Sequence, residues 1–285
     1  MKLPFSKQAR LESNFSDTYF FLRLSMGLIA LLLPLIVWLG GQAIFHVPPQ
    51  TSISAYYHTN MRDVLVGSLF AVGLALLVYK GFSRLEDWLL NIAGILLACV
   101  AYFPMNPKKL LICFPPCNKD LCVPYSSALD RTPDFFLENL SHKFLIPFGG
   151  HTFKIDLSVH GFCAVSFFIA IAYVCAFCSR RTLHLIPDVT VRSGYRLTYL
   201  ILGVAMVILP LATFVMIQTS ADAGHACTNR AVFWVEAVGV WVFATFWLVK
   251  TRENYLYGAD EQYLNRRGIP EALARDDPSA TASGT

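Results

Sequence analysis

Apolar residues in this chain do not alternate with polar ones; they gather into six blocks of span length, separated by polar, Gly- or Pro-bearing segments. The blocks run from about Tyr19 to Gly41, Asp63 to Tyr79, Leu85 to Phe103, Leu157 to Cys178, Leu197 to Ile217 and Ala231 to Val249. About 20 apolar residues in helical form cross a hydrocarbon core of about 30 Å. In lipid every backbone N–H and C=O must find an internal partner, so such blocks are helices. Barrel strands would be shorter and would alternate, and that pattern is missing. The expected fold class is therefore all-α: a polytopic membrane protein built as a six-transmembrane-helix bundle with a cysteine-containing outer loop. The six-span domain is expected over residues 1–253, with a cap at about 104–156 and a polar, disordered cytoplasmic tail at 254–285. The first block begins only near Tyr19, is too long for a signal core and lacks a small-residue cleavage site, so it is expected as a retained span.

Composition agrees. Hydrophobic residues make up 55% and charged residues 15% of the chain, and the mean hydropathy is +0.50, whereas a soluble domain carries about 25% charged residues. Six spans put both termini on one side. That side collects 14 basic residues, including Lys7, Arg10, Arg180, Arg181, Arg192, Arg196, Lys250 and Arg252, against 8 on the other. The positive-inside rule then makes the termini cytoplasmic, in a plasma membrane or bacterial inner membrane. The net charge of +4 is accounted for by residues flanking the spans, beside lipid headgroups, and calls for no nucleic-acid partner. Arg23 lies where it can snorkel or pair with Glu86 or Asp87.

The short link Lys80–Arg84 predicts that the second and third helices pack as antiparallel neighbours. The loop between the third and fourth helices is long for a compact protein, and its aromatic and apolar residues favour an ordered cap. Cys113, Cys117, Cys122 and Cys227 fall in outer loops, where an oxidising compartment favours two disulfides with three pairings open. The spacings do not match common zinc knuckles. Cys99, Cys163, Cys175 and Cys178 fall in spans; Cys175 and Cys178 read as packing residues. Asn91 and Thr213 read as helix–helix glue, Gly67, Gly73 and Gly94 as points of close helix approach, and Trp88, Trp234, Trp241 and Trp247 as interface or packing residues.

The chemistry lies at the outer end. Ser54, His58 and Asp63 lead into the second helix, His160 sits one turn into the fourth, and Glu236 sits under two turns into the sixth. At 1.5 Å per residue these groups occupy one layer within about 10 Å of the boundary. Intramembrane ionisable groups mark functional sites. Imidazole and carboxylate from His58, Asp63, His160 and Glu236 would suit a catalytic zinc acting on a lipid ester or amide. Without metal the same groups would relay protons, bind a lipid or small-molecule ligand, or only hydrogen-bond across helices. Three functions follow: lipid or small-ligand handling at the outer leaflet, a metal-dependent lipid hydrolase, or a proton-coupled transporter or non-catalytic assembly protein. No phosphate-cradling glycine loop, Gly-x-Ser-x-Gly elbow or His-Glu-x-x-His is present.

The segment Ser52–Val66, SISAYYHTNMRDVLV, with His160, Trp234-Val-Glu236 and Trp247-Leu-Val-Lys250, resembles a poorly characterised bacterial six-span family in which these motifs occur in this order. More distantly the layout is similar to the damage-regulated autophagy modulator and fibroblast growth factor receptor activating protein group, which implies membrane-lipid handling and no particular mechanism. The CREST membrane hydrolases, which use Ser, Asp and His around zinc, are a looser analogy. They have seven spans and a His-x-x-x-His pair, and this chain has neither.

Overall fold

The computed structural model describes residues 5–47, 49–105, 111–113, 122–124, 141–148, 151–220 and 230–258. Helix α1 (Phe5–Leu35) continues through a π-turn at Ile36–Gly40 into a last turn, Gly41–Phe45. Pro34 lies within it; proline removes one donor and crowds the preceding turn, and the widened turn begins two residues later. Helices α2 (Arg62–Val78) and α3 (Arg84–Tyr102) follow, then strands β1 (Leu111–Cys113), β2 (Cys122–Pro124), β3 (Ser141–Phe148) and β4 (His151–Ser158). Helix α4 (Val159–Tyr173) extends through a π-turn at Val174–Cys178 and a 3-10 segment at Ser179–Leu185. Helices α5 (Val189–Ser220) and α6 (Ala231–Tyr257) complete the bundle.

Five helical stretches are long and apolar enough to cross a membrane: Ser16–Phe45, Arg84–Tyr102, Val159–Leu185, Val189–Thr213 and Ala231–Tyr257. Large apolar side chains such as Leu74, Ile95, Ile169 and Ile201 point outward, as a lipid solvent allows and water does not. The chain is a multi-pass membrane protein. Helix α2, at 17 residues, is shorter than these five.

Each helix packs on its neighbours in sequence and α6 returns onto α1, giving a closed ring. The α2–α3 hairpin is as expected: Gly81 N–H donates to Asp87 Oδ1 at 2.6 Å, Phe82 N–H to Glu86 Oε2 at 2.9 Å, and Ser83 caps α3 by accepting from Glu86 N. These helices touch at Gly73 and Gly94, where a Cβ on Gly94 would stand 2.6 Å from the Gly73 carbonyl oxygen. Gly67 differs from expectation, because a Cβ there would meet nothing within 4 Å. Trp241 Nε1 donates to Leu31 O at 3.0 Å across the α1–α6 seam; Trp247 is buried and Trp88 exposed. Arg23 is buried, with its guanidinium 5.9 Å from the centre of the Tyr79 ring.

Between α3 and α4 the strands form two antiparallel hairpins, β1–β2 and β3–β4, a form the reading of that loop did not specify. Cys113 stands opposite Cys122 in the first register. Cys117 and Cys227 lie outside the described residues, as do the side-chain pairing that disulfides require and most of the tail. Helix α6 runs past the expected boundary at 253, and α5 begins before Leu197, where Asp188 Oδ1 accepts from Thr190 N and Val191 N.

The extension of α6 past its apolar block carries a buried polar network inside the protein. Lys250 and Glu253, 2% and 1% exposed, pair at 3.0 Å. Lys250 Nζ also donates to Thr182 Oγ1 at 2.6 Å, and both Thr182 and Tyr199 donate hydroxyl protons to Glu253. Cys175 Sγ donates to the Tyr199 carbonyl at 3.3 Å, the packing role expected of it. This network ties α6 to α5 and to the segment after α4, at the end of the ring remote from His160.

Candidate functional site

The segment before α2 turns into the mouth of the ring. Ser52 Oγ accepts from Ala55 N–H at 3.0 Å, a side-chain turn of the kind serine favours, and a 3-10 turn follows over Ser54–His58. Thr51 O accepts from Phe233 N–H at 2.9 Å, satisfying a donor that the first turn of α6 would otherwise leave unpaired. Tyr56 is fully buried, stacks at a tilt on Phe233, and accepts from Gln50 N–H through its hydroxyl at 3.4 Å. The tyrosine of the Ser-Ile-Ser-x-Tyr motif is thus the anchor that packs this turn against α6.

Glu236 Oε2 accepts the Ile53 N–H at 2.6 Å, and the Ser54 backbone also bonds to this carboxyl. Away from water these donors offset the cost of burying a carboxyl group. They also fix Ser54, whose Oγ lies 3.0 Å from His160 Nε2. On the other side of the ring His160 Nδ1 lies 2.8 Å from Phe103 O. A carbonyl only accepts, which assigns the proton to Nδ1 and leaves Nε2 as acceptor for the serine hydroxyl.

Ser54, His160 and Glu236 all line a cavity of about 270 Å³ inside the ring. All six helices contribute to its wall, which is otherwise mainly apolar, with Leu33, Val72, Leu97, Phe168 and Phe243 among its members. Thr213 also lines it, while its hydroxyl bonds to Leu209 O within α5.

The other two expected members stand apart. His58 is buried beside the cavity, with Nε2 3.0 Å from Met105 O, and does not line it. Its imidazole is held below its ordinary pKa, first by burial and further by the nearby Arg62 cation, with the Met105 carbonyl opposing. Asp63 is exposed on α2 and is not brought to the cluster. Its neighbour Arg62 donates to Tyr57 OH at 2.8 Å and lies 4.5 Å over that ring. The expected zinc set His58, Asp63, His160 and Glu236 does not converge: Asp63 faces out, and both ring nitrogens of His160 are engaged by protein groups. Among the described residues no group of three or more His, Cys, Asp or Glu could hold a metal ion.

No family model, curated protein or solved structure matches this chain.

Proposed function

We propose that the protein is a six-span integral membrane protein that handles a lipid or lipid-like amphiphile at the outer leaflet, holding its apolar body in the cavity and its polar head at Ser54, His160 and Glu236. In this reading α2 is the sixth span, both termini are cytoplasmic by the basic-residue bias, and the membrane is a plasma or bacterial inner membrane. The observation that carries it is the cavity itself, a mainly apolar chamber whose lining includes the polar side chains of Ser54, His160 and Glu236. Its volume of about 270 Å³ falls near the lower end of small-molecule sites, about 300–1,000 Å³, which suits one acyl chain better than a whole two-chain lipid. A few fixed polar groups in an apolar pocket orient a ligand by its head. The resemblance of Ser52–Val66 to a six-span family, and the separate, more distant likeness of the layout to a group tied to membrane lipids, support this reading.

Gly239 provides the test. It lines the cavity, and a Cβ there would meet Phe168 and Leu209 atoms only at ordinary contact distances of 3.7 and 3.9 Å. Gly239→Leu therefore adds side-chain volume to the cavity with little strain at its base. A dansyl-labelled undecanoic acid should bind detergent-purified wild type and bind Gly239→Leu about tenfold more weakly, a change of about 1.4 kcal/mol. Gly194→Ala, where a Cβ meets nothing within 4 Å, should bind as wild type does. No binding to wild type, or equal binding to Gly239→Leu, would refute the reading.

A further inference from the structure

We propose that Ser54 and His160 are a nucleophile–base pair that removes the acyl group from an amphipathic carboxyl ester held in the cavity and passes it to water or another hydroxyl. This rests on the lipid-handling reading and gives that site a reaction. The geometry has the parts a serine nucleophile needs: a hydroxyl within hydrogen-bond reach of a base, and a third group orienting the base. Ser54 Oγ is 3.0 Å from His160 Nε2, and the Phe103 carbonyl, 2.8 Å from Nδ1, fixes the tautomer that a general base requires. Both catalytic side chains line the apolar cavity, so an acyl chain lying along it carries its ester carbonyl to the serine. Glu236 is a positioning residue: through the Ile53 N–H at 2.6 Å it holds the turn whose first residue is Ser54.

The step balances without an oxidant or reductant. His160 Nε2 takes the Ser54 hydroxyl proton as Oγ attacks the ester carbonyl carbon. The tetrahedral adduct expels the alkoxy group, which receives that proton from His160 and leaves as an alcohol, while the acyl group remains as a Ser54 ester. Water or an acceptor alcohol then attacks this ester, giving its proton to His160. Collapse breaks the Ser54 ester bond, the proton returns to Ser54 Oγ, and a fatty acid or a new ester leaves. General-base catalysis of this kind contributes about 10²- to 10⁴-fold.

The test uses detergent-purified full-length protein, a dodecyl fluorophosphonate and p-nitrophenyl decanoate. Wild type should gain one adduct by intact mass, mapped to Ser54 by peptide fragmentation, and should release p-nitrophenol. Ser54→Ala should lose both signals, and His160→Gln should lower turnover by at least about 100-fold. Both variants should keep the wild-type thermal unfolding midpoint and elution profile in detergent, which shows them folded. Asp63→Asn, outside the site, should label as wild type does. Wild type that binds the fatty acid but gains no adduct at Ser54 and releases no p-nitrophenol would overturn the catalytic proposal and leave the binding reading standing. An adduct confined to another residue would overturn it as well. Failure of the fatty acid to bind wild type would instead remove both.

Discussion

Replacing Lys250 by methionine removes the cation from a buried cluster while keeping most of the side-chain volume. In the wild type Lys250 Nζ reaches Glu253 Oε2 at 3.0 Å and Thr182 Oγ1 at 2.6 Å, and lies 5.5 and 5.6 Å from the Phe82 and Tyr199 ring centres. Removing one partner of a buried ion pair costs about 3–5 kcal/mol, because the remaining charge keeps its desolvation penalty. Glu253 retains the Thr182 and Tyr199 hydroxyls as donors, so the loss should fall near the lower figure, about 3 kcal/mol. Glu253→Gln strands the ammonium instead and should cost a similar amount. The double variant Lys250→Met/Glu253→Gln leaves neither charge exposed to an apolar interior, so its loss should fall short of the sum by about 1–3 kcal/mol. Reversible unfolding in mixed micelles, titrated with a denaturing detergent, gives all four free energies. If the single losses add within about 0.5 kcal/mol, or if Lys250→Met costs less than about 1 kcal/mol, the network does not hold α6 as described.

Two further predictions concern the rest of the fold. Gly94→Ala sets a methyl group 2.6 Å from the Gly73 carbonyl oxygen and should destabilise by about 1–3 kcal/mol through overpacking. Gly67→Ala meets open space and should be neutral or stabilise by up to about 1 kcal/mol through helix propensity; thermal unfolding of the two distinguishes contact from conformational preference. For His58, whose pKa is lowered by burial, the folded state favours the neutral ring and the unfolded state binds more protons at mildly acidic pH. Its contribution is therefore complete above the unfolded value of about 6.5 and declines as pH falls through the folded value. Protection factors at residues 51–58, which divide out the intrinsic pH dependence of amide exchange, should fall as pH drops from 7.5 to about 5.5, and His58→Gln should flatten that response; an unchanged slope would contradict it.

The helices were legible because lipid permits few alternatives: apolar blocks of the right length must pair their backbone groups internally. Their ends were less legible. Helix α6 outruns its apolar block because Lys250 and Glu253 find partners on other helices, and nothing in the local pattern around Ser179, Thr182 or Tyr199 announces that meeting. The layer containing Ser54, His160 and Glu236 could be read from distances along each helix, but their convergence depends on the lateral order of the ring. Asp63 shows what layer alone misses. It follows the buried Met61 and precedes the buried Leu65 by two residues each, about 200° around a helix, so it faces away at the same depth. Orientation also needed atoms: Phe103 carries no side-chain chemistry, yet its carbonyl sets the His160 tautomer.

Closure of the ring between α1 and α6 has a consequence for biogenesis. The Ile53–Glu236 bond joins positions 183 residues apart and the Trp241–Leu31 bond positions 210 apart. Helices inserted in order from the ribosome would therefore stand as an open arc, with the turn at Ser54 lacking the carboxyl that holds it, until α6 arrives. The chamber comes into being with that final insertion, so a nascent chain stalled before α6 carries the serine and the histidine without an assembled site.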